Sequence, residues 1–221
     1  MIATVLIAVG AAVVTEDFLQ KKTGPLKPAY APANLAPSPA KAGVNATTTP
    51  AKSPAAPFID PLSDARSRVT KKTFGIRVDP KHSPVSPERF TGYHTGVDFE
   101  TTPAEQDADV PIYAICSGKL LVKEYGSGYG GVASEGCTLD NAPVTVVYGH
   151  LRLSSITAKA GAALEAGETI GVLGKGYSAE TDGERKHLHL GIHKGAAVNL
   201  HGYVATEAEL SAWIDPLTVI P

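Results

Sequence analysis

The residues of this 221-residue chain best suited to chemistry are histidines set in short apolar runs. Lys186-His187-Leu188-His189-Leu190-Gly191-Ile192-His193 alternates imidazoles with aliphatic side chains, which is the period of a β-strand. Residues two apart on a strand share a face. His187 and His189 therefore stand side by side, while Leu188 and Leu190 turn into a core. Adjacent imidazoles titrate near neutral pH, and a shared cation satisfies their lone pairs. Taken alone, the tripeptide also fits a half-exposed strand with no such task.

Two further segments add to it. Tyr93-His94-Thr95-Gly96-Val97-Asp98-Phe99 sets a His and an Asp four apart, and Gly96, Val97 and Phe99 favour a strand or turn over a helix. Val146-Val147-Tyr148-Gly149-His150-Leu151 is an apolar run ending on another His. Three β-like segments thus each deliver a His, and one adds a carboxylate. Two His and one Asp are a common ligand set for a zinc that keeps a position open for water, which leaves two histidines for proton handling.

In this order, H-x-x-x-D, a Tyr-x-His segment and a late H-x-H resemble the M23 peptidases, the lysostaphin- and LytM-like zinc endopeptidases that cut peptidoglycan cross-bridges. The resemblance runs from about Phe74 to Pro216. It includes Phe74-Gly75-Ile76-Arg77, Val110-Pro111-Ile112-Tyr113-Ala114, Ser117-Gly118-Lys119-Leu120 and the turn Gly128-Tyr129-Gly130-Gly131-Val132. It continues through Gly167-Glu168-Thr169-Ile170-Gly171, Gly174-Lys175-Gly176 and the closing Trp213-Ile214-Asp215-Pro216. It implies zinc (Zn2+) held by His94, Asp98 and His189, with acid/base work by His150 and His187. Two imidazoles and a carboxylate leave a zinc site near +1, which lowers the pKa of a water there from about 15.7 to roughly 7. The family also uses a tyrosine. Tyr93 and Tyr148 adjoin motif residues, but strand alternation turns each away from its neighbouring His, so that role has no assignment.

The rest of the chain bounds the setting. A net charge of -2 gives no basic excess, so nucleic acid is not an expected partner. Ile2–Val14 is apolar but shorter than the roughly 20 residues that span a bilayer. Residues 1–22 therefore read as a signal peptide or a signal anchor and possible membrane tether. From Thr23 to residue 68 the chain is rich in Pro, Ala, Thr and Ser, and nine of the 17 prolines lie between Thr23 and Pro61. Such a stretch is expected to be a disordered, extended linker. The folded domain is placed at 69–221, as antiparallel β-sheets in an open barrel or sandwich. An early strand is expected at Thr73–Val78 and others near Gly96–Phe99, Pro111–Ile115, Gly118–Glu124, Gly131–Ser134, Val144–Tyr148, Thr169–Leu173 and His187–His193. One helix is expected over Glu207–Trp213, capped by Thr206 and Glu209. Cys116 and Cys137 flank a hairpin turning near Gly126–Gly130, and either a disulfide or two buried thiols fits.

The expected function is a monomeric, extracytoplasmic zinc endopeptidase acting on peptidoglycan stem or cross-bridge peptides. The alternative is a non-catalytic wall-binding or regulatory module of the same fold; the intact ligand set favours the enzyme. His193, about 13 Å along the strand from His189, is too far for the same metal, and His82 and His201 are expected to be exposed. The polar stretch from Gly176 to Lys186 reads as a loop at the rim of the site. Arg185 or Lys186 is then the expected partner for a stem-peptide carboxylate.

Overall fold

The computed structural model describes residues 58–221; the apolar N-terminal run and the Pro/Ala-rich stretch up to residue 57 lie outside them. The described residues contain twelve strands. They are β1 (Arg77–Val78), β2 (Gly92–His94), β3 (Gly96–Glu100), β4 (Pro111–Tyr113), β5 (Gly118–Gly126) and β6 (Gly130–Leu139), then β7 (Ala142–Gly149), β8 (Ala163–Leu164), β9 (Thr169–Val172), β10 (His187–Lys194), β11 (Tyr203–Val204) and β12 (Trp213–Ile214). The architecture is mainly β and antiparallel, as expected. A seven-stranded sheet runs β12-β10-β7-β6-β5-β8, with β3 also on β10; β1-β2-β11 and β4-β9 form two smaller sheets.

Local sequence explains the meander at its centre. Asp140 and Asn141 both take left-handed backbone (φ 48° and 64°), the geometry of a two-residue hairpin turn between β6 and β7. Along β10, Leu188, Leu190 and Ile192 are fully buried in the main core beside Val146, Tyr148 and Phe99. A second, smaller cluster of Tyr129, Val132, Val147 and Trp213 fills the opposite face. With both faces covered, β10 has one allowed register, since a one-residue slip would turn its core residues outward.

Several boundaries differ from expectation. The packed unit starts before Val69: Phe58, Leu62 and Ala65 are buried in the main core, and Arg68 pairs with Glu105 at 2.7 Å. These apolar residues are sparse among polar neighbours, so composition hides them. The early strand is confined to Arg77–Val78 because Gly75 (φ 74°) turns the chain before it. The helix stops at Leu210, although its capping box of Thr206 and Glu209 is formed. Trp213 leaves the helix to pair with His193 on β10 and bury its ring. Cys116 and Cys137 are joined by a disulfide with a Cα–Cα distance of 6.1 Å.

Candidate metal centre

The register of β10 builds the site. His189 lies directly opposite Asp98 of β3 on one side and Gly149 of β7 on the other. His187 and His189 share the face away from the main core. His94 arrives from the small sheet, at the end of β2, two residues before β3 begins. Gly96 makes this crossing possible: a Cβ there would overlap the Leu190 carbonyl and come within 2.8 Å of the His189 ring.

Three ligand-type atoms converge. His94 Nε2 is 2.9 Å from His189 Nδ1 and 3.2 Å from Asp98 Oδ1, and His189 Nδ1 is 3.3 Å from the same oxygen. All three residues are buried. His94 Nδ1 donates to the Thr73 carbonyl (3.1 Å), which turns Nε2 toward the other two ligand atoms. Asp98 Oδ1 has no hydrogen-bond donor among the described residues. Such converging acceptors are electrostatically costly unless something positive sits among them. A four-coordinate ion with N and O ligands at about 2.0–2.2 Å has ligand–ligand edges of roughly 3.3–3.6 Å, so these residues fit a zinc-like cation within a few tenths of an ångström.

The surroundings set the charges. Asp98 Oδ2 accepts from Arg185 Nη2 (2.8 Å) and lies 3.2 Å from His187 Nε2. Burial alone would raise the Asp98 pKa, but His187 and His94 hold it well below the usual carboxylate range. Burial pulls His189 down to about 4, only partly offset by Asp98. It also carries His150 well below its usual value. His150 follows β7 with left-handed backbone (φ 64°), a conformation that a non-glycine residue keeps only when its surroundings impose it. Here Gly174 N–H donates to the His150 carbonyl and Leu151 N–H to the Gly131 carbonyl, each at 2.8 Å. The His150 ring then lies 4.3 Å, centroid to centroid, from that of His187, whose Nδ1 donates to the Arg185 carbonyl (2.9 Å).

These five residues line one cleft, so the structure brings together every residue picked out for the site. The cleft also holds residues that sequence reasoning missed. Tyr129 packs its ring 5.3 Å from His189 and 5.6 Å from His150, in room that the missing side chain of Gly149 leaves. Tyr203 of β11 lies 5.2 Å from the His94 ring, and its hydroxyl accepts from Lys72 Nζ (2.8 Å), which is paired in turn with Glu88 at 2.7 Å. Burial, then the charges of Asp98 and Glu88, push the Tyr203 phenol well above its usual value, so it stays protonated. As expected, Tyr148 points away, into the core, where it donates to Glu135 (2.6 Å). His82 is exposed. His193 stacks edge-on against Trp213 at 4.9 Å, outside the cleft. His201 is exposed but lines the cleft rim.

The 176–186 segment is not a plain solvated loop. Thr181 is fully buried, and Asp182 accepts from Gly128 N (2.8 Å) and Tyr125 Oη (2.7 Å) on the β5–β6 turn. Lys186 does not face the cleft: its Nζ donates to the Gln106 and Ala108 carbonyls, so it has no free charge for a substrate. Arg185 does line the cleft, held by Asp98 and Glu100.

A mainly β domain with a buried His-Asp-His cluster and two adjoining histidines is thus defined by fold and site. Residues 92–200, which contain all five, match the sequence model of peptidase family M23, so this domain is of the M23 type. Among solved structures it is similar to the catalytic domain of the antimicrobial peptidase lysostaphin from Staphylococcus simulans, at 22% identity over 70% of this chain and 95% of that one, with a TM-score of 0.45. LytU is similar at 23% identity over 67% and 81%, with a TM-score of 0.45. A chain of the SpoIIQ–SpoIIIAH pore-forming complex is similar at 16% identity over 74% and 90%, with a TM-score of 0.49. No curated protein matches the sequence.

Proposed function

We propose that this protein is a zinc-dependent endopeptidase that hydrolyses peptide cross-links of bacterial peptidoglycan. The observation that carries the reading is the convergence of His94 Nε2, Asp98 Oδ1 and His189 Nδ1 beside the His150–His187 pair in one cleft. The completeness of this set supports the catalytic reading over a non-catalytic wall-binding module.

In this reading His94, Asp98 and His189 hold the zinc. When bound, zinc supplies Lewis acidity, polarising the scissile carbonyl and acidifying a water. The chain's own residues do the rest. His150, kept neutral by burial, takes the proton of the attacking water, and His187 gives a proton to the departing amine. Tyr203 accepts from Lys72 and has no acceptor for its own proton among the described residues. It is therefore the hydrogen-bond donor for the substrate carbonyl as negative charge develops on it. Two further hollows border the cleft, one sharing His201 and Tyr203 with it and the other Glu184 and Arg185. A peptide longer than the reacting bond thus has room beside the cleft, which suits internal cleavage.

The site of action in this reading is extracytoplasmic, with the chain secreted or tethered through its apolar N-terminal run. Among the described residues no helix is long and apolar enough to cross a membrane. The test is incubation of the zinc-loaded chain with defined cross-linked muropeptides and mass analysis of the products. Release of uncross-linked stems is expected. Intact substrate with folded, zinc-loaded protein would overturn the reading.

A further inference from the structure

A second buried group of metal-ligating side chains lies at the base of the β5–β6 hairpin, and none of its members lines the cleft. Two sulfurs, of Cys116 and Cys137, and one carboxylate oxygen of Glu135 lie within 4.8 Å of one another. Cys116 is 3% exposed, Cys137 6% and Glu135 0%. Glu135 and Cys137 are two apart on β6 and so share a face.

Glu135 is the anomaly. A carboxyl without solvent is costly unless a cation or a full set of donors satisfies it. Tyr148 Oη donates to Oε2 at 2.6 Å, and Ile115 N–H steadies that hydroxyl from behind at 2.9 Å. Oε1 has no hydrogen-bond partner among the described residues. An orphaned oxygen this deep calls for a specific reason, and its neighbours are two sulfurs.

We propose that the reduced form of this chain binds one thiophilic divalent cation, such as zinc, through the Cys116 and Cys137 thiolates and the Glu135 carboxylate. The backbone already suits both states. The Cα–Cα distance of 6.1 Å spans a disulfide. Two zinc–sulfur bonds of about 2.3 Å place the sulfurs only roughly 3.8 Å apart, within reach of side-chain rotation. The chemistry balances with a phosphine as reductant. The phosphorus takes the oxygen of a water, and two electrons and two protons pass to the sulfurs. The cation then displaces the thiol protons, and any proton on Glu135, into solvent. In the oxidised chain the same sulfurs are spent on each other and the site is closed. The hairpin base is thus fastened covalently in one redox state and by a cation in the other.

The test compares the full chain, oxidised and phosphine-reduced, titrated with cobalt(II). Bound metal is counted, thiolate ligation is read from sulfur-to-cobalt charge-transfer absorption, and far-ultraviolet circular dichroism checks that the sheet persists. The reduced chain should bind one equivalent more than the oxidised chain and show the charge-transfer band. Cys116→Ser should lose both, and Glu135→Gln should keep the band but weaken binding by roughly tenfold or more. His94→Ala, which removes the first centre, should bind one equivalent reduced and none oxidised. This separates the second site from the catalytic reading. Equal stoichiometry in the two redox states, absence of the band, or loss of the sheet on reduction overturns the proposal.

Discussion

Arg185 Nη2 lies 2.8 Å from Asp98 Oδ2, so the oxygen of Asp98 that faces away from the His94–His189 pair is gripped by a guanidinium. Glu100 holds that guanidinium in turn, accepting from Nε at 3.0 Å through both of its oxygens. Groups behind a ligand fix its orientation, and their loss typically costs about 10–100-fold in metal affinity. Arg185→Met should therefore weaken zinc binding by that order with the sheet intact, as read by competition with a chromophoric chelator. Unchanged affinity would show that Asp98 is positioned by β3 alone.

The purified, oxidised chain should hold one zinc, and Asp98→Ala or His94→Ala should lose it. His150→Ala should keep the metal and lose about 10²–10⁴-fold in kcat. Full activity in that variant would remove His150 from the proton chemistry.

Tyr203→Phe deletes one donor while keeping the ring against His94. Loss of a donor to developing charge costs about 10²–10³-fold in kcat, with KM and zinc content near wild type. A change confined to KM would place Tyr203 in substrate binding only.

Acid should weaken the fold through the Arg68–Glu105 pair, whose two contacts are 2.7 and 2.9 Å long. Hydrogen bonding from Arg68 holds the Glu105 pKa down to about 2. A carboxyl depressed in the folded state contributes fully above its ordinary pKa and loses that contribution as the pH falls through its folded value. Glu105→Gln should thus cost about 1 kcal/mol near neutral pH, after allowance for solvent screening, or about 2–4 °C in Tm. The difference should vanish near pH 2. Parallel melting curves across that range would remove Glu105 from the acid response.

What sequence made legible was local. The strand period of His187–His193 placed two imidazoles on one face, and the segments around His94 and His150 were recognisable as strands that bring their own histidines. Tyr203 and Lys72 escaped because they meet the site only through tertiary contacts: β11 pairs with β2, and Lys72 reaches Tyr203 across 131 residues. Arg185 looked like a substrate group because its partners, Asp98 and Glu100, lie far back along the chain. Lys186 departs from expectation for the converse reason: alternation sends it to the opposite side from Arg185 and into backbone carbonyls. The end of the helix was overrun because pairing of Trp213 with β10 outweighed helical propensity over the last turn.

His94 belongs to the three-stranded sheet, whereas Asp98 and His189 belong to the seven-stranded one. A cation held by all three therefore acts as a rivet between two sheets, closing a contact between residues 95 positions apart. A ligand bound only by the folded state adds about 2.7 kcal/mol at a hundredfold excess over Kd. Part of that energy would go to clamping the small sheet. Chelation should then speed amide exchange in β1, β2 and β11 well before it touches the β5–β6–β7 meander, making the centre a fastener of the architecture as well as its chemical tool.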